Sequence, residues 1–216
     1  MGQEALKRGR FITLEGGEGA GKTTQLGLLA EALARTGISV LRTREPGGAP
    51  GAEEIRRLLV EGGPDRWDAV GEALLVAAAR RDHLIATIWP ALEQGRWVVC
   101  DRFADSTVAY QGYAGGMPRT DLETLHRIAA SGFMPDLTLI FDLPPAVGLA
   151  RAAARHGEET RFERKDLSFH ERLRQGFLEI AAREPKRCVV IDAERDRDTI
   201  HQTVLAAARD RLGVKL

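Results

Sequence analysis

The sequence predicts an α/β fold in which a parallel β-sheet is covered by helices on both faces. Two observations favour this fold. Five short runs rich in apolar and β-branched residues occur along the 216-residue chain, and helical patterns separate them. Each run is continuously apolar rather than alternating, which is typical of strands buried on both faces. Because strands that alternate with helices usually pair in parallel, we expect one sheet between two helical layers.

The predicted elements follow one another regularly. The strands are FITLE (11–15), ISVLRTR (38–44), WVVCD (97–101), DLTLIFD (136–142) and CVVID (188–192). The helical patterns cover residues 22–36, about 52–60, 67–94 (ending near Pro90), 120–131, 145–156, 168–184 and 197–212. The fourth and sixth helices begin with TDLE and SFHE, which match the capping-box pattern. Since the chain has no internal repeat or linker, we expect residues 1–216 to form a single domain.

Composition limits the partners that the protein can have. Lys plus Arg equals Asp plus Glu at 31 each, so no net charge favours nucleic acid or an anionic membrane. The first ten residues lack the apolar stretch of a signal peptide, and the longest apolar run, LLVAAA (74–79), is too short to span a bilayer. Cys100 and Cys188 lie inside apolar runs, which favours buried reduced thiols. We therefore expect a soluble cytoplasmic protein with no nucleic-acid or membrane partner.

The segment GGEGAGKT at 16–23 lies between a predicted strand and a predicted helix. It matches the phosphate-binding pattern of two glycines five residues apart followed by Lys and Thr. Its glycines let successive backbone N–H groups turn towards phosphate oxygens, and the following helix adds its positive N-terminal end. Lys22 would reach the β and γ phosphates, and the Thr23 hydroxyl would bind Mg²⁺. The predicted triphosphate-binding residues are Gly16, Gly17, Glu18, Gly19, Ala20, Gly21, Lys22, Thr23 and Thr24.

A triphosphate site fits three classes of protein: a switch GTPase, a motor or partitioning ATPase, and a small-molecule kinase. The chain contains no asparagine, which excludes the Asn-Lys-x-Asp motif that reads guanine. An arginine directly follows the strand WVVCD, giving DRF at 101–103, and an arginine there suits a phosphate acceptor. The charged loop RHGEETRFERK at 155–165 is a candidate lid over the triphosphate, although a solvated charged turn fits it equally well.

These stretches together resemble the bacterial thymidylate kinase family, whose members transfer the γ-phosphoryl group of ATP to dTMP to make dTDP. The motifs that carry the resemblance, beyond the glycine loop, are TREPGG (43–48), AAARRDH (77–83), DRFADSTVAYQG (101–112), PDLTLIFDL (135–143) and TRFERKDLSFHERL (160–173). The resemblance implies a three-layer P-loop NTPase fold with sheet order 2-3-1-4-5, ATP as donor, Mg²⁺ and a homodimer. Another nucleoside monophosphate or deoxynucleoside kinase, or an ATP-dependent switch or partitioning protein, remains an alternative.

The resemblance also implies roles for single residues. Arg102 would grip the acceptor phosphate, and Glu18 would contact the sugar 3′-hydroxyl. Tyr110 would lie under the sugar, and Arg80 would read the base. Asp101, at the end of its strand, suits a contact with Mg²⁺ through water. Glu45 and Arg56 are weaker candidates that also fit surface charges. The implied dTMP-binding residues are Glu18, Glu45, Arg56, Val76, Arg80, Arg102, Ser106, Thr107, Tyr110 and Gln111.

The lid, expected at about 155–166, implies a subtype of this family. Members with an arginine inside the glycine loop lack one in the lid, and other members show the reverse. Here Gly19 and Ala20 occupy the loop and Arg161 lies in the lid, so Arg161 would assist phosphoryl transfer alongside Lys22 and Arg102. The chain departs from the family at Val76, where a phenylalanine usually stacks on thymine, and at Phe103, where tyrosine is frequent.

Overall fold

A computed structural model describes residues 8–63, 65–154 and 161–216. Its five strands form one parallel sheet in the order β2-β3-β1-β4-β5, which confirms the fold class and the strand order. The strands are β1 (Phe11–Gly16), β2 (Val40–Arg44), β3 (Trp97–Asp101), β4 (Leu137–Asp142) and β5 (Cys188–Asp192). In the central strand, Thr13 lies in register with Cys100 on one side and with Thr138 on the other.

Helices connect the strands. The α-helices are α1 (Lys22–Arg35), α2 (Pro50–Val60), α3 (Ala69–His83), α4 (Trp89–Glu93), α5 (Ala104–Thr107), α6 (Arg119–Ala130), α7 (Pro145–Ala153), α8 (Leu167–Arg183) and α9 (Arg197–Leu212). Two π-helical segments, Leu84–Ile88 and Val108–Ala114, follow α3 and α5. Among the residues that the structure describes, no helix is long and apolar enough to cross a membrane.

Burial follows position in the sheet. Every residue of β1 is buried, because both of its neighbours are strands and helices cover both faces. The edge strands β2 and β5 are only partly buried, and Val190 in β5 is 43% exposed, so the expectation of complete burial fails at the edges. Cys100 and Cys188 are buried free thiols, as predicted.

The predicted helix at 67–94 is divided into three parts. A π-helical turn at Leu84–Ile88 separates α3 from α4, and Pro90 lies in the first turn of α4. Proline has no N–H to donate, so it interrupts the intrahelical hydrogen bonds where the π-helical turn joins α4. The expected single helix is therefore wrong in detail, although residues 69–93 are helical without a break.

Both predicted capping boxes are wrong. The N-cap of α6 is Pro118, and its side chain makes no cap, while Thr120 lies inside the first turn. The N-cap of α8 is Asp166, whose carboxylate accepts the Phe169 N–H at 2.7 Å. A carboxylate two residues earlier therefore replaces the predicted serine, since aspartate is a strong N-cap residue.

The helical segment from Ala104 to Ala114 has no counterpart among the predicted elements. Its sequence contains β-branched residues and Gly112, which lower helix propensity, and it lacks a clear apolar repeat. Tertiary packing stabilises it instead, because Tyr110 joins Leu173 and Phe177 of α8 in one buried cluster.

Candidate active site

The glycine loop joins β1 to α1 and takes backbone conformations that side chains disfavour. Gly19 and Gly21 have φ angles of 64° and 84°. A Cβ atom on Gly19 would lie 2.1 Å from the carbonyl oxygen of Gly148, so this position requires glycine sterically as well. The Lys22 Nζ donates to the carbonyls of Gly16 at 3.2 Å and Gly17 at 2.7 Å. Burial and the nearby Arg102 charge lower the pKa of Lys22 to about 8.

Thr23 and Asp101 lie together, as expected for a Mg²⁺ site. The Thr23 hydroxyl donates to the Asp101 carboxylate at 2.9 Å. Thr23 belongs to the first turn of α1, and Asp101 ends the neighbouring strand β3, so adjacent parallel strands bring the two groups to one edge. A hydroxyl and a carboxylate are the oxygen donors that Mg²⁺ prefers, so these residues fit the ion. Its binding here stays a prediction.

Arg102 connects the glycine loop with the acceptor side. Its φ angle is 70°, a left-handed conformation that is uncommon for a residue other than glycine and that often marks a functional site. Its guanidinium donates to the Gly16 carbonyl and to the Glu18 carboxylate, both at 2.9 Å. The Tyr110 hydroxyl donates to the same Glu18 oxygen at 2.6 Å. Burial opposes ionisation of Glu18, but Arg102 and Lys22 outweigh it and lower the pKa of Glu18 to about 2.

A cavity of about 130 Å³ lies beside Arg102. All ten predicted dTMP-binding residues line it, so the structure brings the whole predicted set together. Sequence analysis did not identify five further lining residues: Pro46, Leu59, Val60, Phe103 and Phe162. The roles of the ten predicted residues towards a nucleotide stay predictions.

The polar side of this cavity is rigidly held. Arg80 is only 3% exposed. Its guanidinium donates to the Glu45 carboxylate at 2.8 Å and to the Thr107 hydroxyl at 2.9 Å. The guanidinium carbon also lies 4.9 Å from the centroid of the Phe103 ring. Glu45 is buried, so its interpretation as a surface charge is wrong. Arg56 is partly buried and donates to the Pro46 carbonyl at 2.8 Å. The cavity therefore presents an arginine whose orientation is fixed before any ligand binds.

Glu15 is a residue of the site that sequence analysis missed. Its buried carboxylate accepts the Phe103 N–H at 2.7 Å and the Ser106 hydroxyl at 2.5 Å. Burial and the neighbouring Asp105 carboxylate raise the pKa of Glu15 to about 8. Glu15 thereby anchors the chain on either side of Arg102 to the central strand. An acidic residue at the end of an otherwise apolar strand, directly before the glycine loop, was the signal available in the sequence.

Residues 155–160 of the predicted lid lie outside the described residues. Arg161 is fully buried and donates to the Glu72 carboxylate at 2.6 Å and to the carbonyls of Leu59 and Trp67 at 3.3 Å. Its guanidinium therefore lies against α2 and the start of α3, on the acceptor side of the site. The solvated-turn alternative does not describe Arg161. Its part in phosphoryl transfer stays a prediction.

A second cavity, of about 250 Å³, lies above the glycine loop. It contains the loop residues from Glu18 to Thr24 together with Asp101, and the lid residue Glu163 also lines it. Four side chains line both this cavity and the cavity beside Arg102, which we call the acceptor cavity because the predicted dTMP-binding residues line it: Glu18, Glu45, Arg56 and Arg102. Two of these four are arginines, so the boundary between the cavities suits the phosphates of two nucleotides.

A phosphate-binding loop that shares charged side chains with a second cavity is typical of a P-loop nucleotide kinase. Comparisons with known proteins specify this class further. The model of the thymidylate kinase family matches residues 14–204, and the chain belongs to that family.

Relatives that are named thymidylate kinase align with this chain over nearly its full length. The chain is 54% identical to the thymidylate kinase of Caulobacter vibrioides over 209 residues, which cover 97% of this chain and 100% of that protein. It is 52% identical to the thymidylate kinase of Nitrobacter hamburgensis, over 96% of this chain and 91% of that protein. The crystal structure of thymidylate kinase from Ehrlichia chaffeensis is 37% identical, with a TM-score of 0.73, and covers 92% of this chain and 98% of that one.

Proposed function

We propose that the protein transfers the γ-phosphoryl group of ATP to dTMP, giving ADP and dTDP. The observation that carries this proposal is the pair of cavities that share Arg102, Glu18, Arg56 and Glu45. ATP would lie over the glycine loop, and dTMP would lie in the cavity lined by Arg80 and Gln111. Membership of the thymidylate kinase family supports the same reaction.

The chemistry requires positioning and charge neutralisation rather than a side-chain nucleophile. Lys22 would stabilise the negative charge on the transferring phosphoryl group, and Arg102 would orient the acceptor phosphate. Thr23 and Asp101 would hold Mg²⁺, which supplies further charge neutralisation on the phosphate oxygens. Arg161 would assist the transfer from the lid, which requires that its guanidinium leave Glu72 when the lid closes on ATP.

Selection for a deoxyribose would come from the contact between Tyr110 and Glu18. The Tyr110 hydroxyl is held by Glu18 at 2.6 Å, and its ring packs edge-on against Phe162, with ring centroids 5.5 Å apart. Glu18 would accept the 3′-hydroxyl of dTMP on the same carboxylate. A tyrosine fixed in this way under the sugar leaves little room for a 2′-hydroxyl.

Phosphorylation assays with a panel of acceptors test the proposal. The purified protein, ATP and Mg²⁺ are incubated with each nucleoside monophosphate in turn, and diphosphate formation is measured. We expect dTDP as the main product. A different diphosphate as the main product would indicate another nucleoside monophosphate kinase, and ATP hydrolysis without any acceptor product would indicate a switch or partitioning ATPase.

We also propose that the protein is a homodimer. On α3, Val70 and Leu74 are 49% and 54% exposed and lie four residues apart, hence on one face of the helix. The neighbouring helix α6 carries Ile128, which is 67% exposed. Exposed apolar side chains on two adjacent helices favour a contact with a second copy. Leu74→Glu should therefore give a monomer in analytical ultracentrifugation. The control variant Val147→Glu on α7 should stay dimeric. A Leu74→Glu protein that stays dimeric would refute this interface.

A further inference from the structure

Glu72 is a buried carboxylate to which the reaction described above gives no role. It lies in the first turn of α3 and is 6% exposed. One carboxylate oxygen accepts from Arg161 at 2.6 Å, and the other accepts from the side-chain amide of Gln111 at 2.8 Å. Glu72 thus connects a residue of the lid with a residue that lines the acceptor cavity.

The contact with Glu72 fixes which way the Gln111 amide faces. An ionised carboxylate can only accept hydrogen bonds, so Gln111 must turn its NH₂ group, and not its carbonyl oxygen, towards Glu72. Gln111 is 2% exposed, so it cannot exchange this contact for bulk water. The order of donor and acceptor that Gln111 presents to the cavity is therefore set by Glu72.

A fixed amide distinguishes bases that differ in their pattern of donors and acceptors. Thymine presents an N3–H donor beside the O4 acceptor, whereas cytosine presents an N3 acceptor beside an N4 donor. An amide that can flip freely would pair with either base, since its two ends are nearly the same in shape. An amide held in one orientation leaves the wrong base with an unmatched polar group in a buried site, which is the costly outcome.

Arg161 keeps Glu72 in place while the acceptor binds, which precedes the departure of its guanidinium for the transfer step. The guanidinium compensates a carboxylate that is almost completely removed from water, and an unpaired buried carboxylate would be unfavourable. The carbonyls of Leu59 and Trp67 hold the guanidinium from the other side.

We propose that Glu72 is a positioning residue for base selection, which fixes the amide of Gln111 in the orientation that accepts thymine and disfavours cytosine. The proposal rests on the proposed binding of dTMP in this cavity. It concerns discrimination between bases and not the transfer step.

The first test is Glu72→Gln, which keeps the shape of the side chain but can bond Gln111 in either orientation. The inhibition constant of dCMP and the Michaelis constants of dTMP and dUMP are measured for both proteins. We expect the preference for dTMP over dCMP to fall by about tenfold, the effect of one buried hydrogen-bonding group. The preference for dTMP over dUMP should stay within about twofold, because uracil and thymine share the same hydrogen-bonding edge.

Two further variants separate positioning from a structural role. In a Gln111→Ala background, Glu72→Gln should change the preference for dTMP over dCMP no further, since Glu72 acts through Gln111. If Glu72→Gln does not fold, the double variant Glu72→Met with Arg161→Met removes both charges together, and it should show the same loss of preference.

The result that overturns the proposal is an unchanged preference for dTMP over dCMP in a folded variant, or an equal loss of affinity for all three nucleotides. Failure of the proposed function is a separate result, because the unmodified protein would then form no dTDP.

Discussion

Replacing Lys22 by methionine should abolish phosphoryl transfer, and its effect on the stability of the protein should depend on pH. The pKa of Lys22 falls from 10.5 to about 8, so keeping this lysine charged in the folded state costs about 3 kcal/mol at pH 7. The variant loses two hydrogen bonds from a charged donor to the carbonyls of Gly16 and Gly17, each worth about 1.5 to 3 kcal/mol. These losses match or exceed the cost of the buried charge, so Lys22→Met should be no more stable than the unmodified protein at pH 7.

The difference between the two proteins should depend on pH in a defined direction. Between pH 8 and 10.5 the unfolded lysine keeps its proton while the folded lysine loses it, so the unmodified protein gains stability as the pH rises. Lys22→Met has no such gain, so its stability relative to the unmodified protein should fall as the pH rises from 8 towards 10.5. Melting temperatures of both proteins at pH 7, 8.5 and 10 measure this trend.

An exposed lysine supplies the control for this experiment. Lys186 is exposed, so Lys186→Met should change stability by less than about 0.5 kcal/mol. A difference in melting temperature that stays constant from pH 7 to pH 10 would refute the lowered pKa of Lys22. Turnover within about tenfold of the unmodified rate, about 1.4 kcal/mol of barrier, would refute the role of Lys22 in transfer.

Three further changes have defined outcomes. Arg161→Ala should cost about 3 to 5 kcal/mol in denaturant unfolding, because Glu72 is left buried without its cation. If Arg161 assists transfer, the same variant lowers turnover more than it raises the Michaelis constant for dTMP, and the opposite kinetic pattern would assign Arg161 to acceptor binding only. Val76→Phe should lower the Michaelis constant for dTMP by a few-fold to about tenfold, since a ring can stack on the base. A folded variant with unchanged dTMP binding would mean that another group covers the base. Glu15→Gln should become more stable relative to the unmodified protein as the pH rises from 5 to 8, because the pKa of the Glu15 carboxyl is 4.5 in the unfolded chain and about 8 in the folded protein. A difference in unfolding free energy that stays constant over this range would contradict the raised pKa.

The parts of the fold that sequence analysis predicted correctly are those in which one local signal dominates. The five strands are short apolar runs, and the glycine loop is a contiguous motif between a strand and a helix, so neither depends on distant residues. The segment from Ala104 to Ala114 was missed because packing against α8 stabilises it, and a single sequence does not show that contact. The capping prediction failed at α8 because Asp166 and Ser168 are both good N-cap residues, and the pattern alone does not choose between them.

The acceptor cavity likewise contains some residues that could be predicted from sequence and others that could not. Its ten predicted residues came from stretches that resemble a family, and the cavity contains all of them. The residues that hold these side chains were not predictable in the same way, since their partners lie far apart in the chain. Glu15 holds Ser106, 91 residues away, and Glu72 holds Gln111, 39 residues away. From the sequence alone, a carboxylate in a strand or helix is visible only as a charged residue. Its burial and its hydrogen-bond partner are known only from the structure.

The strand order explains why the two cavities share their charged residues. Strands β2, β3 and β1 are consecutive in the sheet and parallel, so their carboxyl ends meet at one edge. Leu14 and Arg44 lie in register with the same residue, Asp101, and the chain then continues from the three strands into the glycine loop, Arg102 and Glu45. The residues proposed to bind phosphate therefore follow adjacent strands, of which the central strand β1 is completely buried. The residues proposed to contact the base come from α3 and the helical segment after α5, outside the sheet. If these roles hold, substitutions at Val76 and Glu72 should change base selection and leave the residues proposed for phosphoryl transfer in place.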